Sequence, residues 1–216
     1  MHHKNRADMI WTEGPIERFM ATAPVELQRA MILAMHTGQR YGDLIRLRWS
    51  DYDGATIRLI QRKTDQAVYL PCTSQLKQAL DSIPRQCPYI LARADGRPWF
   101  TAKNDKELSK QWTAQTKRCG LYAEDEAERL ELGDLRGTAV TLMAEAGCTV
   151  PQIVAVTGHT LESATRILER YMARTSRMAE AAILHFENAK ATEFANRLQT
   201  ADMRSPKAAN KIERIQ

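Results

Sequence analysis

Apolar residues recur at helical spacing through much of the chain. From Ile16 to Met20 and from Val25 to His36 they fall three and four positions apart, which predicts two amphipathic helices. Gly38 follows the second at a C-cap position, where a residue without Cβ ends a helix in the left-handed conformation. Asp43 to Trp49 reads as a short helix after that break. The pattern then changes. Ala55 to Gln61 and Ala67 to Pro71 are short runs holding Ile57, Leu59, Val68 and Tyr69, joined by Arg62-Lys63-Thr64-Asp65-Gln66. They predict a β-hairpin whose turn lacks glycine. Helical spacing returns from Thr73 to Ser82, with Thr73 or Ser74 as the cap, and Tyr89 to Leu91 is a candidate third strand. Further helices are expected over Lys103–Arg118, Asp134–Ala146, Val150–Val156 and Leu161–Met172. Gly147 stops the second of these, and Thr149 with Pro151 forms a good start for the third. A last helix is expected from about Arg177 past Phe186, followed from about Asp202 by a polar, basic tail. The pattern describes an α+β domain, mainly α, with a small antiparallel sheet. Residues 1–200 form the domain and 201–216 the tail.

Composition narrows the setting. Hydrophobic residues make up 44% of the 216 and aromatic residues 6%, which predicts an aliphatic, Met-rich core. No apolar run reaches the roughly 20 residues of a membrane span, and no basic start leads into an apolar stretch as a secretory signal would. Cys72, Cys87, Cys119 and Cys148 are irregularly spaced without a CxxC pair, which argues against a zinc site or a disulfide framework and for reduced thiols in a cytoplasm. The net charge of +5 permits nucleic-acid binding without requiring it.

Chemistry is carried by four segments and one turn. Thr37-Gly38-Gln39-Arg40-Tyr41-Gly42-Asp43-Leu44 places an arginine just beyond a Gly-capped helix. Gly133-Asp134-Leu135-Arg136-Gly137-Thr138 follows much later, then Thr157-Gly158-His159 and Arg170-Tyr171-Met172. Lys63 stands in the hairpin turn between the first two. Singly, each has an ordinary structural reading: a solvated charge, a helix-start histidine, a tyrosine ring packed on an amphipathic helix. In this order and at these separations, over roughly Ala21 to Met178, they resemble the tyrosine recombinase (phage integrase) family.

The resemblance implies a mainly helical catalytic domain that cuts and rejoins double-stranded DNA through a 3′-phosphotyrosine link and a free 5′ hydroxyl. It implies Arg40 and Arg136 as a phosphate clamp, His159 as a further phosphate contact, Lys63 as general acid and Tyr171 as nucleophile, with no cofactor or metal. It also implies self-association on DNA through the C-terminal segment, where Met178, Ile183, Leu184 and Phe186 form an apolar side. The chemistry suits these residue types. Arginine carries a permanent charge and a fork matching two phosphate oxygens. A lysine on a turn can protonate a departing oxygen, and a phenol can attack phosphorus.

Three departures stand out. Gly133 takes the place where the family usually has histidine, so the site should lack a proton acceptor near Tyr171 and carry a small water-accessible gap. His36 is the nearest spare histidine by sequence. Tyr171 lies 12 positions after His159, about one helical turn beyond the gap in many members. In addition, the roughly 39 residues before Arg40 are too few for the separate core-binding domain most members carry, as in a fragment or a natural truncation. The five retained residues favour an enzyme. Gly133 and the missing half of the clamp favour the alternative, a DNA-binding remnant that occupies recombination sites. A type IB topoisomerase shares the chemistry but fits these boxes less well.

Overall fold

A computed structural model describes residues 9–172, 179–180 and 183–184. The chain divides into two units, Met1–Thr175 and Ser176–Gln216. In the second, residues 179–180 and 183–184 are helical, and Ile183 and Leu184 are exposed. The rest of the expected last helix and the tail at 201–216 lie outside the described residues.

In the first unit the helices are α1 (Glu13–Thr22), α2 (Val25–Thr37), α3 (Tyr41–Leu44), α4 (Ser74–Asp81), α5 (Glu107–Arg118), α6 (Leu135–Glu145), α7 (Val150–Thr157) and α8 (Leu161–Met172). Strands β1 (Thr56–Ile60) and β2 (Ala67–Pro71) pair antiparallel from Thr56 opposite Pro71 to Ile60 opposite Ala67. Alternation seats Ile57, Val68 and Leu70 in the core and leaves Ile60 and Tyr69 exposed. The hairpin turn closes through Asp65, whose φ of 50° supplies the left-handed residue that glycine would otherwise provide. Aspartate tolerates that region better than most side chains.

Three expected elements differ. The helix expected over Asp43–Trp49 is displaced to Tyr41–Leu44, because the chain beyond it peels away to pair with 88–90: Ile90 N–H donates to Leu47 O at 2.9 Å and Trp49 N–H to Pro88 O at 3.0 Å. That pairing buries Leu47, Ile90 and Leu91. The same segment makes only an isolated bridge, Arg48 with Tyr89, so the third strand does not form. α5 begins at Glu107 instead of Lys103, since Thr101 and Asn104 close a separate turn with their own side chains. Thr73 is the cap of α4; its hydroxyl accepts from Leu76 N–H at 3.1 Å.

α6 lies at the centre, packed against α2, α7 and α8, while α7 also touches β2. The core is aliphatic, as expected, but not Met-rich. Met31 is its one methionine among the described buried residues, and the largest fully buried side chains are Trp11, Trp112 and Phe19. These three rings meet at centroid separations of 5.5, 5.5 and 4.3 Å, two of the contacts edge-on. A few aromatics concentrated in one place outweigh their low frequency. Trp11 also anchors the site: its N–H donates to Thr138 Oγ1 and its indole N–H to Glu131 O, both at 2.9 Å. All four cysteines are free thiols. Among the described residues no helix is long and apolar enough to cross a membrane.

Candidate active site

Two helices end at one point, and both ends are glycine. Gly38 closes α2 at φ 60° and Gly158 closes α7 at φ 65°. A Cβ on Gly38 would lie 2.7 Å from Thr157 Cγ2, and one on Gly158 would run into the Gln61 amide. Glycine is required at both for its backbone freedom and for the close approach. The approach brings the carbonyls of Gly38 and Thr157 together, and Arg136 Nη1 donates to both, to Thr157 O at 2.7 Å. These carbonyls sit at the negative ends of two helices, which favours a cation there.

Arg40 caps the start of α3 and donates from Nη1 to Gln61 Oε1 at 2.7 Å. Gln61 is fully buried; its Nε2 donates to Gln39 Oε1 at 2.6 Å and to Thr157 O at 3.0 Å. Gln39, buried in turn, donates to Thr37 O and Val156 O. The two amides thus tie the Arg40 segment, the hairpin and the end of α7 together. Asp43 Oδ1 accepts from Arg62 N–H at 3.1 Å and pins the start of the hairpin turn. Gln39 and Gln61 were not singled out in the sequence. A signal existed for Gln61: it continues the inward-facing alternation of Ile57 and Leu59, and a polar residue on a buried strand face needs a partner.

His159 follows Gly158 and completes the cluster. Burial and the nearby Arg136 and Arg40 guanidinium groups push its pKa down to about 3. Burial first, then Arg40, lowers Arg136 to about 9, opposed by Asp43, so Arg136 remains a cation at neutral pH. The Thr157 hydroxyl donates to Ile153 O at 2.8 Å, so it accepts from His159 Nδ1–H at 2.8 Å, and Nε2 of the neutral ring carries no proton. Arg136 Nη2 is buried with no hydrogen-bond partner among the described residues. Beside it opens a cleft of about 390 Å³, lined by Glu131, Gly133, Arg136, Gly137, His159 and Ile167 among others. A larger groove of about 500 Å³ runs along the hairpin with Arg46, Arg58 and Arg62, but none of Arg40, Arg136 or His159 lines it, so the smaller cleft is the candidate active site.

Arg40, Arg136 and His159 therefore come together. Lys63 stands on the exposed hairpin turn, two positions from Gln61. Tyr171 is half-buried near the end of α8, where its hydroxyl donates to Glu145 Oε1 at 2.5 Å. That carboxylate differs from the expectation that no proton acceptor lies near Tyr171. No role was expected of Glu145, since 26 residues separate the pair. The expected gap at Gly133 is present as part of the cleft. Its backbone is not left-handed, and a Cβ there would meet nothing within 4 Å. His36 binds Thr73 Oγ1 at 2.9 Å, on the side of α2 facing α4. Among the described residues no three His, Cys, Asp or Glu side chains are grouped as metal ligands.

A mainly helical domain with one hairpin and an Arg-Arg-His cluster at its helix ends defines the class. The phage integrase family matches residues 12–177, and the chain belongs to that family. It is similar to the integrase of Escherichia phage HK022, 44% identical over 50 residues, which is 23% of this chain and 14% of that one. Solved structures with the same fold include the XerA recombinase, at TM-score 0.62 and 18% identity over 82% of this chain and 65% of that chain. A lambda integrase dimer bound to a COC′ core site aligns at TM-score 0.61 and 23% identity, over 73% of this chain and 47% of that one. The Tn1549 transposon integrase in complex with circular intermediate DNA aligns at 0.58 and 17%, over 83% and 67%. The chain thus spans about half to two thirds of the length of these structures.

The depressed His159 pKa sets a pH dependence. The unfolded ring takes up a proton below about pH 6.5, whereas the folded one stays neutral down to about 3. The unfolded state then binds more protons, so stability is fully present above 6.5 and falls as pH drops toward 3. In urea titrations between pH 7 and 4.5, His159→Gln should flatten this slope. The residual slope belongs to His36, also lowered by burial, and to Asp53, Asp81 and Asp95, lowered by hydrogen bonds. An unchanged slope would mean that His159 is not held neutral.

Proposed function

We propose that this chain is the catalytic domain of a site-specific DNA recombinase that cleaves and rejoins strands through a bond between Tyr171 and a DNA 3′ phosphate. The observation that carries this is the cluster around Arg136. Two guanidinium groups crowd one histidine, and Arg136 Nη2 has no partner among the described residues beside an open cleft. Such a place calls for an anion with several acceptor oxygens, and a phosphodiester supplies one. Its arrival would return a proton to His159 Nε2, which could then donate to a phosphate oxygen.

In the proposed reaction Tyr171 Oη gives up its proton to water in the cleft and attacks phosphorus, the bond from phosphorus to the 5′ oxygen breaks, and Lys63 protonates that oxygen. Arg40 and Arg136 neutralise charge on the non-bridging oxygens, an effect typically worth about 3–4 kcal/mol for each preorganised donor. Rejoining runs the same step backwards, since the bond energy stays in the phosphotyrosine link. Arg46, Arg58 and Arg62 along the hairpin groove offer further backbone contacts. The proposal takes residues 1–200 as the catalytic domain and 201–216 as a polar tail. A DNA target and four free thiols suit action in the cytoplasm.

Tyr171→Phe should abolish covalent adducts on a nicked suicide duplex, read on a denaturing gel, while duplex binding stays within about two-fold, since only one hydroxyl is lost. An adduct that persists, or maps to another tyrosine by peptide mass, would refute the assignment. Gly133→His should restore a proton acceptor at the cleft without strain, because the position is open and not left-handed. Cleavage at pH 7 should accelerate about ten-fold or more; a folded, DNA-binding variant that cuts no faster would show that the missing histidine does not limit the rate. Self-association through the C-terminal segment completes the proposal. Deleting residues beyond Arg174 should impair pairing of two DNA sites more than cleavage of one, and equal loss of both would count against it.

A further inference from the structure

We infer that Glu145 is a positioning residue that holds Tyr171 away from the arginine cluster until DNA is bound. The inference rests on the reading of Tyr171 as nucleophile. Its basis is where the two ends of α6 lie. Arg136 is the second residue of that helix and Glu145 the last. At 1.5 Å per residue they are roughly 13–14 Å apart along the axis. Arg136 turns toward Gly38 and Thr157, at the ends of α2 and α7. Glu145 instead receives the Tyr171 hydroxyl at 2.5 Å.

α8 repeats the separation. His159 precedes its first turn, and Tyr171 lies in its last, so roughly 15 Å of helix stands between them. Ala164, Ile167 and Leu168 are buried among the described side chains of α8, and Tyr171 continues their three-and-four spacing. The half-buried phenol is therefore turned toward α6, on the same side as the packing contacts of its own helix. α6 and α8 together carry the phosphate-binding groups at one end and the Tyr171–Glu145 pair at the other.

Attack requires the phenol oxygen within about 3–3.5 Å of phosphorus. Since α6 fixes the distance between Arg136 and Glu145, the phenol must leave Glu145 before it can react. A hydroxyl bonded to a carboxylate is held about twice as strongly as by a neutral acceptor. The fraction of molecules with a free tyrosine then sets the observed rate, and DNA must supply the contacts that release it.

Glu145→Gln keeps the size of the acceptor and removes its charge. It should raise the single-turnover rate of adduct formation on the nicked duplex about three- to ten-fold at pH 7, with duplex affinity tighter by no more than the same factor and the urea midpoint slightly lowered, since the contact stabilises the DNA-free fold. A fluorine label at Tyr171, introduced as 3-fluorotyrosine, reads the contact without catalysis. Its ¹⁹F resonance in DNA-free protein should shift in Glu145→Gln, and adding duplex to the wild type should move it the same way. A wild-type protein that forms the adduct at Tyr171 beside a variant that cuts equally fast or more slowly would overturn the inference. So would a ¹⁹F resonance indifferent to Glu145→Gln, whatever the cleavage rate. Absence of any Tyr171 adduct in the wild type, with the ¹⁹F shift present, would instead fail the nucleophile reading.

Discussion

The seat of Arg136 is the contact on which the site depends. A guanidinium is taken largely out of water, and its charge is met by the carbonyls of Gly38 and Thr157 at the ends of two helices. Burying a cation is costly unless it is bonded, and one partly unbonded is costlier still. Among the described residues Nη2 nevertheless has no partner, and a second guanidinium, Arg40, lies close enough to lower the pKa of Arg136. That arrangement stores an unmet demand for negative charge at one edge of the cleft. The fold tolerates it because two left-handed glycines let the helix ends meet closely and supply negative dipole ends together.

Around this seat, buried amides do the aligning. Gln61 links Arg40 to Gln39 and to the end of α7, and Asp43 holds the first residue of the hairpin turn. In a low-dielectric interior such a network is strong when complete and costly when any member is lost. It makes the hairpin, and hence the base of the turn that carries Lys63, part of the same rigid unit as the clamp. Trp11 performs the matching task from the other side, since its two hydrogen bonds hold Glu131 and Thr138 on either side of Gly133 and Arg136.

The arginine cluster is thus fixed by its own helix ends, while Tyr171, the proposed nucleophile, is bonded to Glu145 at the other end of α6. Preorganised charge is most effective when it does not have to reorient during reaction. In the proposed reaction, a phenol bonded to Glu145 is kept from reacting with a passing phosphate.

Much of this was legible in the residues alone. Gly38 and Gly158 marked helix ends, the alternation of Ile57, Val68 and Leu70 marked the hairpin, and the spaced segments around Arg40, Arg136 and His159 marked the cluster, because these depend on local backbone preferences and short motifs. What the residues did not reveal was every contact made across long separations. The helix after Arg40 ended early because its chain pairs with Tyr89 and Ile90, and the third strand was lost to the same local competition. Within the aliphatic core, Trp11, Phe19 and Trp112 gather into one cluster, which composition had hidden among few aromatics. Gln61 and Glu145 gained their roles only from partners brought near by packing. Local sequence determines which element forms and which charged groups are available. Only the tertiary structure decides which buried polar group meets which, since burial makes the partner obligatory and the fold alone supplies it.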